Sequence, residues 1–239
     1  MASRVAATVP AASPPWLAEV RLPQGAKGSA VYGQLRRLIV LGRLPAGEPL
    51  VELQLAAAVG CSQGPVREAL FRLQEDGLVQ RAGYRGTFVS RTSSAEAEEL
   101  VALRCRIEVQ AARRALPSLT PSLLEDLATQ IERMEELARH EDLYAMTEAD
   151  RTFHLTLFRE AGLPALEPIL ERCFLLIHRH AITRPERRRT PMEAASRHRS
   201  ILAALRGGEE EAVMESLRLH ICSVIDGASP LGAGGGPAA

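Results

Sequence analysis

The chain of 239 residues carries 29 lysine and arginine residues against 29 aspartate and glutamate residues, so its formal net charge is zero. Aromatic residues make up only 4% of the chain, which favours helix packing rich in leucine and alanine over a β-sandwich. The four cysteines form no C-x-x-C pair and no zinc-finger spacing, and no segment approaches the roughly 20 apolar residues of a membrane span. We therefore expect a mainly α-helical, cytoplasmic protein with reduced thiols.

Changes in composition divide the chain into four parts. Residues 1–26 are rich in alanine, proline and serine, and residues 227–239 are rich in glycine, so we expect both ends to be disordered. Between them, a polar stretch near Ser93 separates a first domain over residues 27–92 from a second over residues 93–226. The first domain has nine basic and five acidic residues, a net charge of +4 that the neutral total conceals.

The first domain has three helical patterns, over residues 29–44, 51–60 and 62–77. Ser62 can cap the third of these helices. Two strand-like runs, 78–81 and 86–90, follow around a glycine-containing turn. Three helices and a hairpin in this order are typical of a winged helix-turn-helix, whose third helix enters the DNA major groove.

Two arginines in this domain are suited to DNA contacts. Arg67 lies near the start of the third helix, where it can reach phosphates or a guanine edge. Arg85, Gly86 and Thr87 lie at the tip of the hairpin, where the glycine allows the chain close to the duplex. The alternative is that these arginines only solvate the surface.

About sixty contiguous residues of this domain resemble the DNA-binding domain of GntR-type bacterial regulators. The most specific motifs are PVREAL, the LxxxGLV pattern after it, and RGTFV. Ser62-Gln63-Gly64 replaces the family's common Ser-Arg-Thr, and Leu53 stands where arginine is frequent. Since Gln63 can still bond adenine, the preferred operator can differ from the family's usual short palindrome. The resemblance implies a homodimer on a palindromic operator, with DNA contacts from Arg36, Ser62, Gln63, Gly64, Arg67, Arg85, Gly86 and Thr87.

The second domain is helical throughout, and its breaks at proline and glycine predict six helices. Their expected ranges are 94–117, 121–139, 142–161, 164–182, 191–206 and 208–226.

An aspartate and three histidines in this domain form a candidate metal site. Asp150 and His154 are four residues apart and therefore share one helix face, while His198 and His220 lie on later helices. One carboxylate and three imidazoles suit Zn²⁺, Ni²⁺, Mn²⁺ or Fe²⁺. For any single histidine, the alternative is an ordinary half-buried residue.

The motifs LRCRIE, DRTFH and RHRSIL, with SLRLHI near the end, resemble the FCD effector domain of one branch of GntR regulators. The resemblance implies a bundle of six or seven helices, a metal held by Asp150, His154, His198 and His220, and a small carboxylate effector beside it. Our count favours six helices. Arg104 is the first candidate for binding the effector and Arg179 the second. His178 and His180 are two apart, so at most one of them should face the effector cavity.

Together these features predict a dimeric, ligand-responsive transcriptional regulator, more often a repressor than an activator in this family, and not an enzyme. The first alternative is a metal-dependent hydrolase that carries a nucleic-acid-binding module, because an open metal position can activate water. The second is a regulator whose metal is purely structural.

Overall fold

A computed structural model of the protein describes residues 15–20, 22–23, 27–184 and 189–225. We call residues 27–92 the head and residues 93–225 the sensor. The tail predicted to be disordered, 227–239, lies outside the described residues, as do residues 1–14. No helix in the described ranges is both long and apolar enough to cross a bilayer.

The head is a winged helix-turn-helix, as the sequence predicts. Its elements are α1 (Gly28–Val40), α2 (Glu52–Val59), α3 (Gln63–Glu75), β1 (Val79–Arg81) and β2 (Thr87–Val89). Helix α2 ends at Gly60, whose φ of 68° is left-handed and suits glycine. The strands pair antiparallel with Val79 opposite Val89. A short 3-10 turn, Gly83–Arg85, closes the hairpin.

Helix α1 packs along α3, and their fully buried side chains form the centre of the head. Leu35 and Ile39 supply this face from α1, while Leu70 and Leu73 supply it from α3. These residues recur at helical spacing and so form one apolar face on each helix. Ser62 precedes α3 at the capping position, but its side chain makes no capping hydrogen bond.

The prediction of disorder over residues 1–26 is wrong for one segment. Residues Pro15–Glu19 form a 3-10 turn, and Trp16 is buried in the head core. The indole Nε1 of Trp16 donates a hydrogen bond to Glu48 Oε1 at 2.9 Å. Burying an indole while satisfying its N–H stabilises the segment on the head, despite its proline-rich surroundings.

The sensor contains seven helices in its described part, one more than predicted. They are α4 (Ser94–Ala115), α5 (Pro121–Arg139), α6 (Leu143–Arg159), α7 (Glu167–Ile182), α8 (Pro191–Ser196), α9 (His198–Gly207) and α10 (Glu210–Cys222). Ser93 begins α4 with a capping box, because its side chain accepts from the Glu96 amide while the Glu96 carboxylate accepts from the Ser93 amide.

The predicted helix 191–206 is interrupted at Arg197, which separates α8 from α9. Side chains bond the backbone carbonyls of Ala195, just before the break, and of Arg197 at the break itself. His198 Nδ1 lies 3.0 Å from the Ala195 carbonyl oxygen, and Ser200 Oγ donates to the Arg197 carbonyl at 2.8 Å. Such local bonds compete with the helical hydrogen-bond pattern. The interruption places His198 at the first position of α9.

The head and the sensor pack directly against each other. Leu175 and Leu176 of α7 belong to the same buried cluster as the head core, and Ile182 packs against it. A separate cluster lies within the sensor and includes Phe153 and Met214. Helix α7 therefore contributes to both domains.

Candidate functional site

The four predicted metal ligands converge inside the sensor. Asp150 and His154 come from α6, His198 begins α9, and His220 lies near the end of α10. One ligand atom from each residue lies within 4.8 Å of every other, and the three histidines are buried. Phe153 encloses the group, with its ring centroid 4.9 Å from that of His198. The helix spacing that predicts a shared face for Asp150 and His154 is thus confirmed.

Outer hydrogen bonds orient two of the imidazoles. His154 Nδ1 donates to Glu108 Oε2 at 2.5 Å, and His198 Nδ1 donates to the Ala195 carbonyl oxygen at 3.0 Å. Because carbonyl and carboxylate oxygens only accept, both Nδ1 atoms carry the proton. In the neutral form of each ring, Nε2 of His154 and of His198 presents a lone pair toward the centre, an arrangement typical of metal-bound histidines.

Potential ligand atoms lie close together at the centre. His198 Nε2 lies 3.0 Å from Asp150 Oδ1. His154 Nε2 lies 3.2 Å from His220 Nε2, and Nδ1 of His220 is buried without a partner among the described residues. Two ligand atoms that each lie about 2.1 Å from one tetrahedral ion are about 3.4 Å apart. The donor set and its spacing therefore fit a divalent cation.

The protonation of the site suits metal binding. Burial lowers the pKa of His154, and burial lowers the pKa of His220 well below its usual value, so both imidazoles are neutral near pH 7. Burial alone would raise the pKa of Asp150, but hydrogen bonds from His178 and His198 outweigh it and hold that pKa well below the usual value. His154 and His220 are therefore neutral and Asp150 is ionised, which are the forms that bind metals.

Sequence reasoning missed Glu108, the partner of His154. This carboxylate is buried and also lies 2.5 Å from Nε of Arg104. Burial would raise the pKa of Glu108, but the charge of Arg104 and the hydrogen bond from His154 lower it. The signal was available, since Glu108 follows Arg104 by four residues within LRCRIE and so shares its helix face.

A cavity of about 380 Å³ opens onto one side of the ligand cluster, where Asp150 and His220 line it. His178 and His180 also line this cavity, so the expectation that only one of them faces it is wrong. The cavity lies at the C-terminal end of α7, where Ala181 belongs to its lining too. A cavity around a helix end contacts residues from several faces of that helix.

Three arginines give the cavity a cationic side: Arg184, Arg189 and Arg197. Arg197 Nη2 donates to the Leu219 carbonyl oxygen at 3.2 Å, and Arg189 donates to the Ser223 carbonyl. These bonds hold two of the guanidinium groups beside the C-terminal end of α10.

The two predicted effector arginines lie apart from this lining. Arg104 is fully buried, stacks over the ring of Phe174 at 4.1 Å, and has two Nη atoms without hydrogen-bond partners among the described residues. Arg179 is directed to the end of the head, where Nη1 donates to the Ser90 carbonyl at 2.7 Å. The prediction that Arg179 binds the effector is therefore not supported, because its guanidinium bonds the head and does not line the cavity.

The start of α3 presents the predicted DNA-reading residues to solvent. The Arg67 side chain is 61% exposed, with Nε 2.6 Å from Glu52 Oε2. Its Nη2 also donates to Gln63 Oε1 at 2.9 Å. Ser62 and Gly64 are exposed beside it. Two charge-assisted contacts therefore preorganise Arg67 in the DNA-free protein.

The wing ends in an exposed turn. Arg85 and Gly86 are exposed, Thr87 is half-buried, and Gly86 has a φ of 94°, which favours glycine. A Cβ added at Gly86 would meet no atom within 4 Å. The glycine is therefore needed for the turn and leaves space for the approach of another molecule.

The structure contradicts the prediction that Arg36 contacts DNA. This arginine is 8% exposed and lies in the joint between head and sensor, with Nη2 2.9 Å from Glu148 Oε1. The spacing of apolar residues in α1 could not show that another domain covers this position.

Two family models match the chain in the same order as its two domains. The model described as bacterial regulatory proteins, gntR family, matches residues 27–89, and the FCD domain model matches residues 99–222. The chain belongs to the GntR family of transcriptional regulators. Its FCD domain is the sensor, and the four clustered ligands all lie within the matched range.

Relatives of this GntR protein include named repressors. The "Probable D-xylose utilization operon transcriptional repressor" of Paenarthrobacter nicotinovorans is 31% identical over 202 residues, which cover 82% of this chain and 88% of the relative. The HTH-type transcriptional repressor RspR of Escherichia coli is 28% identical and covers 80% of this chain and 84% of its own length. The solved structure of E. coli McbR/YncC shares the fold, with a TM-score of 0.68 at 23% identity, covering 81% of this chain and 92% of that one.

Proposed function

We propose that this GntR regulator is a cytoplasmic homodimeric repressor whose affinity for a palindromic operator changes when a small carboxylate binds beside a divalent metal in the sensor. The observation that carries the proposal is the convergence of one ligand atom each from Asp150 and three buried histidines, all within 4.8 Å of one another. One carboxylate and three imidazoles form a donor set that binds divalent cations. The proposal includes no catalytic step.

Asp150, His154, His198 and His220 would hold the metal, and Zn²⁺, Ni²⁺, Mn²⁺ and Fe²⁺ suit this donor set. Such an ion would supply a positive anchor for a carboxylate, since four protein ligands do not fill an octahedral shell. The protein's own part is to orient two imidazoles through Glu108 and Ala195 and to keep His154 and His220 neutral by burial.

Two features of the sensor support an anionic effector. The cavity beside Asp150 and His220 is lined by three arginines, and its volume of about 380 Å³ suits a small metabolite. Away from the cavity, Arg104 has two Nη atoms with no hydrogen-bond partner among the described residues. These two atoms are suited to a bidentate bond with a carboxylate. Contact with Arg104 requires an opening of the packing, because this residue does not line the cavity.

The DNA-binding part of the proposal rests on the exposed Arg67 and on the wing around Arg85. Two heads of a dimer would read the two halves of a palindrome. Repression is proposed by analogy with the repressors named above.

A thermal-shift screen against a panel of organic acids, with and without chelator, tests the sensor. An acid that binds only the folded protein raises its melting temperature by mass action. We expect at least one acid to do so in metal-loaded protein and to lose the effect after chelation. A stabilising acid that leaves DNA binding unchanged would instead support a purely structural metal.

A further inference from the structure

Arg36 forms a polar contact between the head and the sensor. Its Nη2 atom lies 2.9 Å from Glu148 Oε1, and its Nη1 atom donates to Tyr144 Oη at 2.6 Å. Arg36 belongs to α1, whereas both partners belong to α6. Because Arg36 is only 8% exposed, this contact is shielded from solvent and is screened less than a surface ion pair.

Helix α6 also carries two of the metal ligands. Glu148 precedes Asp150 by two residues, and His154 follows four residues later on the same unbroken helix. Arg151 fixes the position of α6 further, since it pairs with Glu148 at 3.1 Å and with Glu171 of α7 at 2.8 Å. A shift of α6 at the metal site would therefore move the partners of Arg36.

On the other side of the joint, α1 packs along α3, the helix that presents Arg67. The chain of contacts thus runs from the ligands through α6 and Arg36 to α1 and then to the DNA-reading helix. Packed helices pass on such displacements as rigid bodies.

We propose that Arg36 couples the metal site to the head, as a positioning residue that acts through Glu148 and Tyr144. The inference rests on the proposed function, because the signal it transmits begins at the proposed metal site. The apolar contacts of Leu175 and Leu176 in α7 hold the domains together, while the ion pair fixes the position of α1 relative to α6.

The protein contains its own reporter for the head. Trp16 is the sole tryptophan and is buried in the head core, so its fluorescence follows unfolding of the head. Most helical residues lie in the sensor, so far-UV circular dichroism follows mainly the sensor. Coincidence of the two signals during urea unfolding measures how far the domains unfold as one unit.

The experiment is urea unfolding of the full chain in EDTA and in Zn²⁺, with both signals recorded. We compare wild type with Arg36→Met, Arg36→Lys and the milder Tyr144→Phe. The matched control is Arg72→Met, which removes a half-buried head arginine stacked over Tyr32 at 4.0 Å.

In wild type we expect coincident transitions, both shifted to higher urea by Zn²⁺. In Arg36→Met the transitions should separate, and Zn²⁺ should shift only the dichroism signal. In Arg36→Lys, Zn²⁺ should shift the Trp16 transition by part of the wild-type amount. Tyr144→Phe should lie between wild type and Arg36→Met, and Arg72→Met should behave as wild type.

A Trp16 transition in Arg36→Met that Zn²⁺ shifts as far as in wild type overturns the coupling role. If Zn²⁺ moves neither signal in wild type, the proposed metal site fails, and the coupling is judged in EDTA alone. In that case, fluorescence and dichroism transitions that separate in Arg36→Met but not in Arg72→Met support the coupling role of Arg36. Transitions that coincide in both variants overturn that role. If Arg36→Met does not fold, Tyr144→Phe decides by the same criteria.

Discussion

Nδ1 of His154 lies 2.5 Å from Oε2 of Glu108, and this contact fixes the imidazole with Nε2 toward the other ligands. Replacing Glu108 by glutamine would keep its shape but allow an amide N–H to face His154. We expect Glu108→Gln to weaken metal binding by about 10–100-fold, the usual effect of removing an outer partner of a metal ligand. Isothermal titration with Zn²⁺ measures this change.

The matched control is Glu136→Gln, since Glu136 pairs with Arg133 on the sensor surface at 2.7 Å. It should bind Zn²⁺ as wild type does. Equal affinities in Glu108→Gln and wild type would show that Glu108 does not orient the ligand.

The ligand cluster itself predicts the metal content of purified protein. Protein from metal-replete medium should carry one divalent ion per chain, and His154→Ala or His220→Ala should reduce this content because each removes a buried ligand. Elemental analysis is the measurement. His140→Ala, at the exposed end of α5, is the control and should retain the metal. Wild-type protein with less than about a tenth of an equivalent, never exposed to chelator, would count against the site.

The pair Arg104–Glu108 predicts a non-additive effect on stability. Arg104→Met leaves the buried Glu108 carboxylate without its guanidinium partner and should cost about 3–5 kcal/mol of unfolding free energy. Adding Glu108→Gln removes the uncompensated charge, so the double variant should be more stable than Arg104→Met alone. Urea unfolding followed by circular dichroism tests this, and strictly additive losses would contradict it.

The contact between Arg104 and Glu108 changes the role expected of Arg104. The sequence suggests an arginine available to the effector, whereas the structure joins Arg104 to a metal ligand through Glu108. Substitution of Arg104 should therefore reduce both metal affinity and any response to an effector.

Arg67 provides the test of the DNA interface. Arg67→Ala should weaken operator binding by about 1–3 kcal/mol if the residue contacts a base. The fold should be unaffected, because the side chain is 61% exposed and its pair with Glu52 contributes about 1 kcal/mol or less. A gel-shift titration at fixed salt measures the loss, with Arg133→Ala on the sensor surface as control. Unchanged affinity in Arg67→Ala would contradict the docking of α3 in the major groove.

The sequence predicted the elements of the head and the shared face of Asp150 and His154 because both depend on residue type and helical spacing. The addition of His198 and His220 to this site came from the resemblance to the FCD domain. Placement of residues between the domains could not be predicted in this way. Arg36 was expected at DNA, yet the domain joint buries it. Helical spacing shows which residues share a face but does not show which domain covers that face.

Two further differences have local causes. The sequence around Trp16 is rich in proline and alanine, and only the fold reveals the core contact and the Glu48 partner that order it. The break at Arg197 depends on side-chain bonds to the Ala195 and Arg197 carbonyls, which a count of helical residues does not include.

The most direct test of the account is operator affinity, measured by fluorescence anisotropy on a duplex selected from random DNA by the metal-loaded protein. The acid identified by thermal shift should change wild-type affinity by about 5–150-fold, the range of ordinary allosteric coupling. His198→Ala should bind the duplex without responding to the acid, because it lacks a metal ligand. If wild-type affinity is the same with and without every acid that binds the protein, the sensor does not control DNA binding and the account is wrong.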